Sequence, residues 1–390
     1  MFSSRLPSAL EPNALSLEIA RLRASGAPLI DLTETNPTRV GLPYPPSILG
    51  NLADPRGLVY EPSPFGLRDA REAVAREFAR QGRPIAADRI VLTASTSDAY
   101  TLLFKLLCNA DDEVLVPRPS YPLFDLLTRL DNVTAVPYLL EYHGVWSIDR
   151  ASFDHALTPR TRAVLVVSPN NPTGSMLRKG DLEWLSARCV DHALALIGDE
   201  VFADYPLARR DDACVVTDQA RALTFSLGGL SKSAGLPQLK LGWIAVTGPD
   251  PLAADALARL EVIADTYLSV GTPVQVAAAR LVEAGATVRA ALSDRLQRNL
   301  RALRSALDTA TCVSLLEPEG GWCAVLQVPA IHSEDALVLR LATEAHVIVH
   351  PGYFFDFSRE AFLVVSLVPE PAVFDEGVAR LLALVSAESR

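Results

Sequence analysis

The chain has 390 residues, of which 49% are hydrophobic and 21% charged, and carries a formal net charge of −10. This length is enough for two or three domains around a large buried core, and the composition shows no bias towards disorder. The acidic balance argues against nucleic acid or an anionic membrane as the main partner, and the longest apolar runs, such as residues 163–167, are too short to span a bilayer.

Residues 1–40 contain prolines and lack a strand–helix rhythm; no continuous apolar stretch near the start suggests a secretory leader. From about residue 70 to 250, short apolar runs alternate with helical patterns. "RIVLT" (89–93) precedes "SDAYTLLFKLL", and "DEVLVP" (112–117) precedes "YPLFDLLTRL". "RAVLVVSP" (162–169) precedes "DLEWLSARCVDHA", followed by "LALIGD" (194–199) and "ALTFSL" (222–227). Strands that are apolar throughout and alternate with helices predict a parallel sheet covered on both faces, an α/β fold. A long helical region ending at 307 and mixed strand signals ("GWCAVLQVP", "HVIVHPG", "AFLVVSLV") predict a smaller α+β unit. The expected division is a large domain over 41–285 and a small one from 1–40 with 286–390. In "HVIVHPG" the strand spacing sets His346 and His350 about 13 Å apart, too far to share a metal. Five scattered cysteines without a C-x-x-C spacing suggest reduced thiols in a cytoplasmic protein.

In an open parallel sheet, ligands gather at the carboxyl ends of the strands. "TASTSD" (93–98) opens a helix whose free N–H groups suit a phosphate. "NNPTG" (170–174), Asp199 and "GGLSK" (228–232) follow other strands. Lysine is scarce: the chain has four, and Lys232 and Lys240 fall in one short stretch, "LSKSAGLPQLKLGW". A lysine able to form a Schiff base, a carboxylate for a pyridine nitrogen, an amide for a phenolic oxygen and a phosphate-ready helix start together describe a site for pyridoxal 5'-phosphate.

With "SPNNPTG", "GDEVF" and "LSKSAGLPQLKLGW" in this order, and further matches from "YEPSPFGLRDAREAVA" (60–75) to "VHPGYFF" (349–355), the chain resembles the class I aminotransferases, fold-type-I pyridoxal-phosphate enzymes, over essentially its whole length. The resemblance implies Lys232 as the Schiff-base lysine and proton-moving base, Asp199 as partner of the pyridinium nitrogen, and Asn171 as donor to the ring oxygen. It implies Tyr121 stacked on the ring, with Ser95 and Thr96 receiving the phosphate. Tyr60 would reach the phosphate of a second subunit, making the protein a homodimer with shared active sites. The implied reaction moves an amino group between an amino acid and a 2-oxo acid; a C–S β-lyase reaction on the same scaffold and a non-catalytic pyridoxal-phosphate-binding regulator are the alternatives.

Four positions depart from the family's pattern. Lys240 stands where an arginine usually clamps the phosphate, giving a point charge in place of a fork. Gly229 stands where a phosphate-binding serine is common, with Ser231 or Ser226 as substitutes. Phe202 replaces a tyrosine that would donate to the ring oxygen, which predicts a higher pKa for the Schiff base. Val364, in "FLVVSLV", stands where an arginine usually pairs with the substrate α-carboxylate. Arg39 is the expected relocated clamp and Arg359 the second candidate, while Trp322 and Tyr267 either line the substrate side or fill the core.

Overall fold

The computed structural model of the chain describes residues 2–7 and 10–388. Its centre is an eight-stranded sheet in the spatial order Ile90–Thr93, Gly242–Thr247, Thr224–Gly229, Ala195–Asp199, Thr161–Val167, Glu113–Arg118, Thr134–Tyr142 and Trp146–Ile148. The five strands from Thr224–Gly229 to Thr134–Tyr142 pair in parallel. Gly242–Thr247 is antiparallel to both of its neighbours, and Trp146–Ile148 is antiparallel to Thr134–Tyr142. Every residue of Ala195–Asp199 and Thr224–Gly229 is buried, as strands covered on both faces require.

This topology brings five ends to one edge. Thr93, Val167, Asp199 and Gly229 close their strands there, and Gly242, paired with both Thr93 and Gly229, opens its own. Glycine at 242 allows a close approach: a Cβ would lie 3.0 Å from Thr93 Oγ1 and 3.1 Å from the Ser95 carbonyl carbon. The close approach lets the turn after Thr93 fold against the strand that follows Lys232.

A second, four-stranded antiparallel sheet contains Ser314–Leu316, Cys323–Gln327, Phe362–Ser366 and His350–Pro351 in that order. The apolar run 346–352, read as one strand, divides between Val347–Ile348, paired with Ile30–Asp31, and His350–Pro351, paired with the second sheet. Helix Thr272–Leu307 connects two cores. Ala277, Ala278 and Leu281 pack with Val74, Phe78 and Trp243, whereas Val288, Leu292, Leu296 and Leu300 pack with Trp322, Val365 and Phe374. At Gly285, between those halves, a Cβ would collide with Ala234, so the helix lies directly on the turn that follows Lys232. Among the described residues, no helix is long and apolar enough to cross a membrane.

Candidate active site

A cavity of about 210 Å³ opens at the strand-end edge. Its wall contains Ser95, Thr96, Tyr121, Asn171, Asp199, Ser231, Lys232 and Trp322, all singled out from the sequence. Their common location follows from the topology: each except Trp322 lies at or just beyond a strand end.

Ser95 caps helix Thr96–Leu107, its hydroxyl accepting from Asp98 N at 3.1 Å. Asp98 accepts in turn from Ala94 N at 2.9 Å and from Ser269 Oγ at 2.6 Å, fixing the turn from both sides. The first N–H groups of a helix have no partner within it, so Thr96 and Ser97 present donors to the cavity.

Asp199 accepts from Tyr100 Oη at 2.7 Å and from Val201 N at 3.2 Å. Burial pushes its pKa above the usual carboxylate range, against these hydrogen bonds and the attraction of Lys232. Burial likewise lowers the pKa of Lys232, opposed electrostatically by the neighbouring Cys323 sulfur and by Asp199. Lys232 Nζ lies 4.5 Å from the centroid of the Trp322 ring and 5.5 Å from that of Phe202. Asn171 Oδ1 is buried without a hydrogen-bond partner, and Trp322 Nε1 shares that condition. Such orphans are costly in a packed interior and common where a ligand completes the site. The set of groups fits pyridoxal phosphate: an amide, a buried carboxylate, a recessed amine and a helix start converge on one cavity.

Two substitute serines have different places. Ser231 lies in the cavity wall, whereas Ser226 donates to Glu200 Oε2 at 2.5 Å inside a buried network with Arg83, so Ser226 is not the replacement donor. A Cβ at Gly229 would meet Gly242 Cα and Leu241 O, both at 3.1 Å, so a serine there would need the facing backbone to give by a few tenths of an ångström.

Several expected site residues are outside this wall. Lys240 is exposed, its backbone left-handed at φ 50°, beside the lining residues Leu241 and Gly242. Tyr60 and Tyr267 face a separate cleft together with Ser63, Gly66 and Gln275, and Tyr60 is 76% exposed. Arg39 is exposed at the end of the short turn Pro37–Arg39, four residues beyond the lining residue Thr35. Arg359, also exposed, stands 5.3 Å over the Phe362 ring in another groove.

Val364 faces an apolar cluster with Trp146, Leu316, Val325, Phe355 and Phe362. It pairs with Val325, two residues from Cys323 on the same face of the strand, and Cys323 lines the cavity. Val364 itself does not line the cavity, and no arginine lines the wall among the described residues.

The sequence reading missed Tyr100, Thr35 and Cys323. Tyr100 follows Thr96 by one helical turn, a periodic signal that was available. Thr35 is placed by the hydrogen bonds from Ser366 Oγ to Glu34 O (2.7 Å) and from Ser366 N to Leu32 O (2.6 Å), a long-range pairing without a local signature. Cys323 is half-buried beside Lys232, and desolvation pushes its thiol pKa up to about 12.

Comparison with known families agrees with this geometry: the family model for aminotransferase class I and II matches residues 47–381. The chain belongs to that family and is an aminotransferase. It is 26% identical to the glutamate-pyruvate aminotransferase AlaA of Escherichia coli K12 over 90% of this chain and 89% of that protein. It is 28% identical to an alanine aminotransferase of Mycobacterium tuberculosis H37Rv, covering 90% and 84% of the two. Among solved structures, an alanine aminotransferase from Pyrococcus furiosus superposes with a TM-score of 0.89 at 23% identity, covering 99% of this chain and all of that one, a likeness of fold.

Proposed function

We propose that this aminotransferase uses pyridoxal phosphate held at Lys232 to move the amino group of an amino acid to a small 2-oxo acid. The observation that carries the reading is the convergence of Lys232, Asp199 and the Asn171 amide on one cavity. Asp199 would hold the ring nitrogen, Asn171 the ring oxygen and Tyr121 the ring face. Ser95, Thr96 and Ser231, with Lys240 swung in from the rim, would hold the phosphate. When bound, the cofactor supplies an aldehyde for Schiff-base chemistry and a ring that accepts electron density. Lys232 would take the proton from the substrate's Cα and hand it to the carbon on the far side of the transferred nitrogen; burial lowers its pKa and makes the neutral, proton-accepting amine easier to reach. Trp322 and Phe202 keep water from the amine's flank.

The relatives' names, alanine and glutamate-pyruvate aminotransferase, support pyruvate with alanine or glutamate as one substrate pair. Arg39, on an exposed turn close to Thr35, is our candidate for the arm that closes on the carboxylate. Leu58, Val59 and Tyr60 are consecutive and 90%, 62% and 76% exposed, which supports a homodimer in which Tyr60 completes the partner's phosphate site. The two cores support a large domain over 41–285 and a small one from 1–40 and 286–390. The five free cysteines fit a reducing cytoplasm.

Mixing the cofactor-loaded protein with one amino acid and no acceptor is the test. An aminotransferase stops near about one oxo acid per site and resumes when pyruvate is added. Continued turnover without an acceptor would identify a lyase and overturn the reading.

A further inference from the structure

Lys232 sits in the single helical turn Leu230–Ser233, and its carbonyl accepts from Gly235 N at 3.2 Å as the turn ends. Side chains from three other segments add to the backbone bonds of this stretch. Tyr205 Oη donates to Lys232 O at 2.6 Å, Arg289 to Ser233 O at 3.0 Å, and Tyr44 Oη to Gly235 O at 2.6 Å. Of the three, Tyr205 also contacts the wall of the cavity. Its ring meets Trp322 edge-on with centroids 5.3 Å apart, and its own carbonyl accepts from Gly321 N at 2.9 Å. Pro206 and Gly320 continue that pairing as an isolated antiparallel bridge.

We propose that Tyr205 is a positioning residue for the reacting amine: one buried side chain sets both the backbone from which Lys232 extends and the indole over which its Nζ lies. The amine hangs on four methylenes, so a small rotation of the Lys232 backbone is amplified at Nζ, and a misplacement of about 1 Å can cost about a hundredfold in rate. Trp322 reaches the cavity from the second sheet's side, immediately before strand Cys323–Gln327. Tyr205 thus ties the two sides together at the atom whose location matters most. Only 1% of Tyr205 is exposed, so its hydroxyl is held away from water and committed to this bond.

The proposal rests on Lys232 holding the cofactor, and the experiment separates the two claims. Tyr205→Phe is compared with wild type and with Tyr138→Phe, which removes an equally buried hydroxyl bonded to Leu165 O at 2.9 Å in the same sheet. Three readouts are followed: the pH midpoint of the cofactor's visible absorbance, the rate at which apoprotein captures the cofactor, and kcat with KM. For Tyr205→Phe we expect a midpoint displaced by about half a pH unit or more, cofactor capture slowed about fivefold and kcat lowered about tenfold, with KM changed less than about twofold. Tyr138→Phe should lose thermal stability to a similar degree and leave all three readouts at wild-type values. If Tyr205→Phe gives no soluble protein, 3-fluorotyrosine incorporated at 205 preserves the ring and the bond while making the hydroxyl more acidic; the midpoint should move, and the same replacement at 138 should leave it in place. A Tyr205 variant that loads cofactor with the wild-type midpoint and capture rate overturns the proposal and leaves the cofactor assignment standing. A wild-type protein that takes up no cofactor overturns both.

Discussion

Tyr100 Oη donates to Asp199 Oδ2 at 2.7 Å across the interior, linking the phosphate-facing helix to the carboxylate assigned to the cofactor's ring nitrogen. Burial raises the pKa of Asp199, and the Tyr100 hydrogen bond is the largest influence opposing that rise. Tyr100→Phe should therefore move the Asp199 pKa further upward. Cofactor affinity should weaken about ten- to a hundredfold, the value of one hydrogen bond to a charged group, with the loss growing as pH falls. Titrating apoprotein with pyridoxal phosphate at several pH values measures this. A loss of the same size at every pH would show that Tyr100 acts by packing alone.

Lys232→Ala should reduce transamination by at least about a thousandfold, because the same amine anchors the cofactor and moves the proton. Borohydride treatment followed by mass spectrometry should fix the cofactor to Lys232 in wild type and to no residue in the variant. Cofactor fixed at Lys240 or Lys105 in the wild-type protein would end the assignment.

Val364 is 1% exposed, so an arginine introduced there would bring an unpaired charge into the cluster of Trp146, Leu316, Phe355 and Phe362. Val364→Arg should destabilise the protein by roughly 3–5 kcal/mol, whereas Val364→Ala should cost about 2 kcal/mol through the cavity it leaves. Urea denaturation of both variants checks the order. If Val364→Arg were stable and lowered KM for the amino acid, the apolar cluster would be able to open and accept a carboxylate clamp. In that case Arg39 would lose its proposed role; otherwise Arg39→Ala should raise KM about tenfold or more and leave kcat nearly unchanged.

The strand-end residues were legible because a parallel sheet covered on both faces turns a linear sequence into an edge. Continuous apolar runs located the strands, and the polar residues after them had to emerge together. Gly242–Thr247 escaped that logic, since it follows the lysine motif without an intervening helix and enters antiparallel. Tyr60 could be named from the family's pattern and Tyr267 as a residue of the substrate side or the core, but a single chain places both in their own cleft, 76% and 50% exposed. Val364 was legible as a departure in type, and its consequence was not: the sequence does not show that five other apolar side chains close around it.

Leu58, Val59 and Tyr60 together expose an apolar ridge that a second subunit would cover. Leu58→Asp should yield a monomer by light scattering at micromolar concentration, with cofactor affinity falling in parallel as Tyr60 loses its reach. Tyr60→Phe should remain dimeric and weaken cofactor binding about three- to tenfold. A monomeric wild type with full activity would refute the shared-site arrangement.

The unliganded site should carry a measurable stability cost that depends on pH. The folded pKa of Asp199 is raised above its unfolded value, so its favourable contribution is complete below the unfolded pKa and is lost as pH rises through the folded pKa. Lys232 has a lowered folded pKa, so its contribution is complete above the unfolded pKa and is lost as pH falls through the folded value. Near neutrality both groups therefore oppose folding of the apoprotein. Asp199→Asn retains an oxygen for the Tyr100 hydroxyl and removes the buried charge. The apo variant should melt about 1–3 °C above apo wild type near pH 7.5, with the gap shrinking as pH falls through the folded pKa of Asp199. Added cofactor should then stabilise wild type more than the variant, because the ring nitrogen has a carboxylate partner only in wild type. A melting difference that stays constant from acid to neutral pH would show that the carboxylate is already paired or protonated throughout, and that the site is not held in readiness for a cationic ring.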